Sequence, residues 1–113
     1  MTTADLLQRY AENGIDQDKA IFRNENPKFR ALFREMAALE KELEFRGQQH
    51  LLMQLYDHPN MQVRLNAAKA TLAVAPDEAR HQLEAIRYSR LNPQAADAGM
   101  AIRMLDRGAF KPE

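Results

Sequence analysis

The sequence has no cysteine, no tryptophan and a single serine, Ser89, and its acids and bases cancel at 16 each. Without cysteine there is no disulfide scaffold and no thiol chemistry, and the composition suits a reducing compartment. Without net charge the chain is not an obvious polyanion binder. Val, Ile and Thr together supply only nine residues, too few β-branched side chains to favour a sheet. The four glycines stand singly at Gly14, Gly47, Gly99 and Gly108, so no glycine-rich loop is present to cradle a phosphate. The longest uncharged stretches, Gln48 to Tyr56 and Ala70 to Pro76, fall far short of the roughly 20 apolar residues of a membrane helix. The N-terminus carries four acidic residues before Lys19 and no apolar run of the kind a secretion signal needs. A soluble, cytoplasmic protein is expected.

What is abundant is alanine and leucine, 18 and 13 of 113 residues, and both favour helix. Breakers at Gly14, Asn24 to Pro27, Gly47, Asp57 to Asn60, Pro76, Asn92-Pro93 and Gly108 leave helix-length pieces between them. The first runs from Thr3 to Phe22, with Gly14 as a kink or a junction of two shorter helices. In the second, Asn26 is a candidate cap and Pro27 suits the first turn, while Phe29, Leu32, Phe33, Met36, Leu39 and Leu43 form one stripe that Gly47 ends. A short helix from Gln48 to Tyr56 and one from Met61 to Val74, capped by Asn60, make a hairpin. Pro76, with Asp77 and Glu78, opens the next helix. The last runs from Pro93 to Arg107, with Ala95, Ala98, Gly99, Ile102 and Leu105 inward.

A modest internal repetition relates these hairpins. Leu52 and Leu55 recur as Leu83 and Ile86, and Asn60, Gln62, Val63, Ala67 and Ala70 recur as Asn92, Gln94, Ala95, Gly99 and Ile102. The stretch Leu51 to Pro76, with its leucines, polar turn, Val63-Arg64, paired Ala67 and Ala68, and Leu72, resembles one HEAT-type repeat. Together with the segments Ala37 to Leu43 and Asp97 to Pro112, it is also similar to a small bacterial family of uncharacterised HEAT-like domains. The resemblance implies an all-α, compact superhelical stack of about five or six helices. Residues 1–47 would form an N-terminal helical cap, residues 48–108 two hairpins and residues 109–113 a tail. The cap would lay Phe29, Phe33 and Phe45 over Leu51, Leu55 and Val63, so that Phe33→Ala is expected to cost about 3 to 5 kcal/mol. The resemblance carries no catalytic residues with it.

The remaining chemistry is thin. Glu78 and His81 have the Glu-x-x-His spacing of carboxylate-bridged di-metal bundles, but such sites need two of these motifs and further carboxylates. A nucleophilic triad would have to be built on Ser89 in an interhelical loop. No catalytic, cofactor-binding or metal-ligating residue is assigned, and the chain is not expected to be an enzyme. Lys69, Arg64, Arg80, Arg87 and Arg90 suggest a basic stripe, diluted by Asp77, Glu78 and Glu84, which disfavours nucleic acid. The second helix carries Lys28, Arg30 and Arg34 in its first half and Glu40, Glu42 and Glu44 in its second, the reverse of what the helix dipole prefers. Such a pattern serves tertiary pairing or recognition of a partner. Tyr56, His58, Met61 and Arg64, around the polar turn, are the candidate protein-contact patch, with Met61 expected at the surface. The expectation is a non-catalytic protein-protein interaction module, in one version an immunity or inhibitor-like protein. The alternatives are a small-molecule or metal-dependent helical-bundle enzyme and a structural homo-oligomer.

Overall fold

Helix α1, Thr3–Phe22, begins where Thr2 and Asp5 cap each other: the Thr2 hydroxyl accepts from the Asp5 N–H and the Asp5 carboxylate accepts from the Thr2 N–H, both at 3.1 Å. The computed structural model describes residues 1–108, so the tail at 109–113 lies outside the described residues. No kink or junction forms at Gly14, and α1 is continuous over 20 residues. Gly14 is instead a point of close approach, where a Cβ would lie 2.7 Å from Val63 Cγ2.

Arg23 to Glu25 turn the chain into α2, Asn26–Phe45. Asn26 is not its cap. The turn passes through Asn24 at φ 58° and returns the Glu25 N–H to the Ala20 carbonyl, which puts Glu25 at the cap position without a side-chain bond. Pro27 sits in the first turn and Gly47, at φ 69°, terminates the helix. The aromatic stripe does not reach the core: Phe33 is 52% exposed and Phe45 87%. Only Met36, Leu39 and Leu43 of α2 are buried, because α2 packs on α1 and the segment after it and leaves its first turns outside the main body. Val63 is covered by α1 rather than by the phenylalanines. Phe33→Ala is therefore expected to cost about 1 kcal/mol or less, not the loss of a buried aromatic, and a denaturant midpoint measures it.

Gln49–Asp57 form the short helix expected between Gln48 and Tyr56, of the 3-10 type. It buries Leu52, and the Gln49 amide donates to the Ala70 carbonyl at 2.6 Å. Asn60 then caps α3, Met61–Ala70, accepting from the N–H groups of Gln62 and Val63. Helix α3 stops at Ala70 because the Thr71 hydroxyl turns back to the Ala67 carbonyl. Pro76 opens α4, Pro76–Ser89, with Asp77 and Glu78 in its first turn. Arg90, in the left-handed region at φ 59°, ends it, and α5, Gln94–Asp106, follows. The described residues are all helical and contain no strand.

Two antiparallel hairpins, α1–α2 and α4–α5, flank α3, which contacts α1, the 3-10 helix, α4 and α5. The apolar core has two lobes accordingly. Leu6, Tyr10, Leu39, Leu43 and Leu52 pack with Ala67 on one side of α3. Leu83, Ile86, Ala98 and Ile102 pack with Leu65 and Ala68 on the other. The alanines of α3 are what let both hairpins approach its backbone. Ala95, Ala98, Gly99 and Ile102 face inward, as their spacing predicts, while Leu105 is half-buried.

Candidate functional site

Of the sequence-derived patch, His58, Met61 and Arg64 lie at the N-terminal corner of α3, whereas the Tyr56 hydroxyl reaches Thr71 at the C-terminal end of that helix; each has an internal contact. The Tyr56 hydroxyl is hydrogen-bonded to Thr71 Oγ1 at 2.5 Å and its carbonyl accepts from Gln82, while burial pushes its phenol pKa up. His58 Nδ1 accepts from the Asn60 N–H at 3.0 Å, and the His58 carbonyl accepts from Arg64 Nε. Met61 is half-buried against the α4–α5 lobe, because the first turn of α3 lies across it. All four side chains are half-buried.

Beneath this corner runs a polar seam that sequence reasoning missed. Asn13 and Gln17 on α1, Gln62 and Asn66 on α3 and Gln94 on α5 are all buried. Gln17 donates to Asn13 Oδ1 at 2.7 Å and accepts from Asn66 at 3.3 Å. Gln62 donates to Asn66 Oδ1 at 2.9 Å and accepts from Gln94 at 3.0 Å. Gln94 and Asn60 both donate to the Asp18 carboxylate. At the other end Asn13 donates to Glu35, which Arg9 holds in a two-nitrogen fork. No buried side-chain nitrogen or oxygen among the described residues lacks a partner. The signal was present, since Asn13-Gln17 and Gln62-Asn66 are i,i+4 pairs on inward faces, but amides ordinarily read as surface.

Two neighbouring cavities lie on the other side of α3. Lys69 projects from α3 and pairs with Asp97 of α5 at 3.0 Å. On one side of that pair is a cavity of about 240 Å³ lined by Leu72, Met100, Ala101 and Met104. On the other is one of about 220 Å³ lined by Phe33, Met36, Glu40, Asn66 and Ala70. Together they make a groove bounded by α2, α3 and α5, with Met100 52% exposed and Phe33 equally so. Exposed apolar side chains are thus concentrated in a concavity rather than scattered.

Two carboxylates of α2, Glu40 in the groove and Glu35 against α1, are tuned in opposite directions. Burial pushes the Glu40 carboxyl above its ordinary 4.5, against the opposing hydrogen bond from the Tyr10 hydroxyl at 2.7 Å and the attraction of Lys69. The Tyr10 phenol is itself raised well above its usual range by burial and by Glu40. Glu35 is lowered, first by its hydrogen bond from Arg9. In the folded state Glu40 holds its proton to higher pH than in the unfolded chain, so its contribution is complete below 4.5 and lost as pH rises through the folded value. Glu40→Gln, which still accepts from Tyr10, is expected to be more stable than the parent at neutral pH, with the difference vanishing below 4.5. For Glu35 the order reverses: its contribution is present above 4.5 and lost as pH falls through the lowered value. Glu35→Gln should therefore be less stable at neutral pH and converge with the parent in acid, by a small amount because solvent screens the pair. Thermal unfolding across pH measures both.

The charges expected to form a basic stripe are largely consumed internally. Arg80 pairs with Glu84 and with Asp106 at 2.8 Å, Lys69 with Asp97, and Arg64 bonds to a carbonyl. Ser89 is likewise engaged, donating to the Ile86 carbonyl and accepting from the Leu91 N–H. Glu78 and His81 line a shallow depression beside Tyr56. Among the described residues, no three His, Asp or Glu side chains come together to hold a metal ion, and no helix is long and apolar enough to cross a membrane.

A family model described as a domain of unknown function, DUF2019, matches residues 4–106. Among solved structures, the crystal structure of the protein RPA1889 from Rhodopseudomonas palustris is 50% identical and superposes with a TM-score of 0.98, covering 100% of this chain and 95% of that one. No curated protein matches the chain.

Proposed function

We propose, from the premise that this chain belongs to the DUF2019 family, that it is a non-catalytic protein-binding module whose groove receives an apolar segment of a partner protein. The carrying observation is the pair of apolar cavities on either side of Lys69, walled by Met100 and Met104 and by Phe33 and Met36. Methionine is flexible and polarisable and suits a surface that adapts to another protein. The polar groups in the groove are already engaged, Lys69 with Asp97 and Glu40 with Tyr10, which leaves packing rather than proton transfer as its chemistry.

A HEAT-like relation between the hairpins belongs to the same reading. Gln62 and Gln94, equated by the internal repetition, sit side by side on α3 and α5 and are hydrogen-bonded to each other. A stack of related hairpins presents ridged faces and grooves to other macromolecules, and this chain is short enough that one groove would be its whole binding face.

The test is to label the methionine methyl groups with carbon-13 and add the protein retained from native lysate at high salt. Met100 and Met104 resonances should shift, and Met100→Ser with Met104→Ser should abolish retention. Retention undiminished by the double substitution, or methyl shifts confined to other methionines, would reject the groove as the binding site.

A further inference from the structure

The charge pattern of α2 goes beyond a generic apolar groove. The helix carries four acids, Glu35, Glu40, Glu42 and Glu44, and four bases, Lys28, Arg30, Arg34 and Lys41. Three of the acids are turned to internal donors: Glu35 to Arg9, Glu40 to Tyr10 and Glu42 to Arg46. None of the four bases is in an ion pair among the described residues. A helix that is neutral in sequence thus carries four cations outside any ion pair against one such acid, Glu44, among the described residues. Tertiary contacts account for Glu35 and Glu40 and a local i,i+4 pair for Glu42, whereas no ion pair among the described residues engages the bases.

Two of these cations flank an aromatic strip. Phe29 and Phe33 stand one turn apart with ring centroids 6.4 Å from each other, and with Arg30 and Arg34 they line a shallow depression of about 380 Å³. Phe33 is also a wall of the groove at Lys69, so depression and groove adjoin at this ring. Planar guanidinium groups beside exposed rings bind carboxylates in two-point contacts while the rings pack against the apolar part of the same segment.

We infer that the partner segment taken by this face is acidic as well as apolar: its apolar side chains lie on Phe29, Phe33 and the groove, and its carboxylates on Arg30 and Arg34. The inference rests on the protein-binding reading and gives it a chemical sign. Asp97 at the groove and Glu44 on α2 interrupt the positive surface that a nucleic-acid backbone would follow, which favours a protein segment with local carboxylates.

Two synthetic helical peptides with the same Leu and Phe positions, one with Glu and one with Lys at the polar positions, test this by amide NMR on the full chain. A third probe is oligo(dT). The Glu peptide should shift the amides of Arg30, Phe33, Arg34 and Met36, with affinity falling as salt is raised. The Arg30→Glu, Arg34→Glu double variant, with parental circular dichroism, should bind the Glu peptide at least about tenfold more weakly and gain affinity for the Lys peptide. Equal binding of the two peptides, or an Arg30→Glu, Arg34→Glu variant indistinguishable from the parent, would overturn the charge inference and leave the apolar groove standing. No shift with either peptide would overturn both. Oligo(dT) displacing the Glu peptide from Arg30 and Arg34 would replace the protein segment with a nucleic acid.

Discussion

Replacing Gln17 by leucine is expected to destabilise the protein by about 3 kcal/mol even though it exchanges a buried polar side chain for an apolar one of similar volume. Burial alone would argue the other way, since Gln17 is 1% exposed and leucine is the better core residue. The seam decides the sign. Among the described residues Gln17 is the sole donor to Asn13 Oδ1 and the sole acceptor for the Asn66 amide, so its loss strands one polar group on its own helix and one on α3. Each stranded group costs about 1 to 3 kcal/mol, a large share of the roughly 5 to 15 kcal/mol that holds a domain together. Gln62 is less affected because it keeps its bond to Asn66. Urea unfolding of Gln17→Leu reads the loss. A variant as stable as the parent would mean that water satisfies the seam.

Gly14→Ala and Gly99→Ala should shift stability in opposite directions. Both glycines lie inside helices, where alanine is favoured by about 1 kcal/mol. At Gly14 the new methyl would meet Val63 Cγ2 at 2.7 Å and Val63 Cα at 3.1 Å. Val63 is fully buried and β-branched, and its Cα belongs to α3, so relief requires α1 and α3 to separate. Overpacking of this kind costs about 1 to 3 kcal/mol beyond the propensity gain. At Gly99 the nearest atoms are the side chains of Arg103 and Arg87 at 3.8 Å, which is ordinary contact with flexible groups. Gly99→Ala is expected to stabilise by several tenths of a kcal/mol up to about 1. Equal effects at the two sites would show that helix propensity, not the α1–α3 approach, governs Gly14.

Much of the fold was legible because its punctuation is local. Pro27, Gly47, Asn60 and Pro76 act within a turn of where they stand, and each marks a helix end as expected. Ala98 and Ile102 were placed inward by periodicity alone. The failures concern what lies opposite a face. The stripe from Phe29 to Leu43 is correctly helical, but a sequence does not say that its N-terminal part has no third helix to pack on. Phe33 therefore ended in solvent. Gly14 was read as a weakness in α1 because its purpose, contact with Val63, depends on a residue far along the chain. The candidate site suffered from the same blindness. Tyr56, His58, Met61 and Arg64 are neighbours in sequence, whereas the groove joins Phe33, Lys69 and Met100 from three helices.

The position of α3 bears on how the molecule comes apart. Its ten residues are shared by both lobes, while the two hairpins meet each other at little more than the Asp18–Gln94 hydrogen bond. Each hairpin is closed by a short connection and gathers its contacts locally, which makes rapid early formation inexpensive in chain entropy. Neither can cover its apolar face until α3 is in place. The amide hydrogens of α3 should accordingly exchange with solvent only through global opening. Those in the first turns of α2, which lie beyond the packed body, should exchange through local fraying.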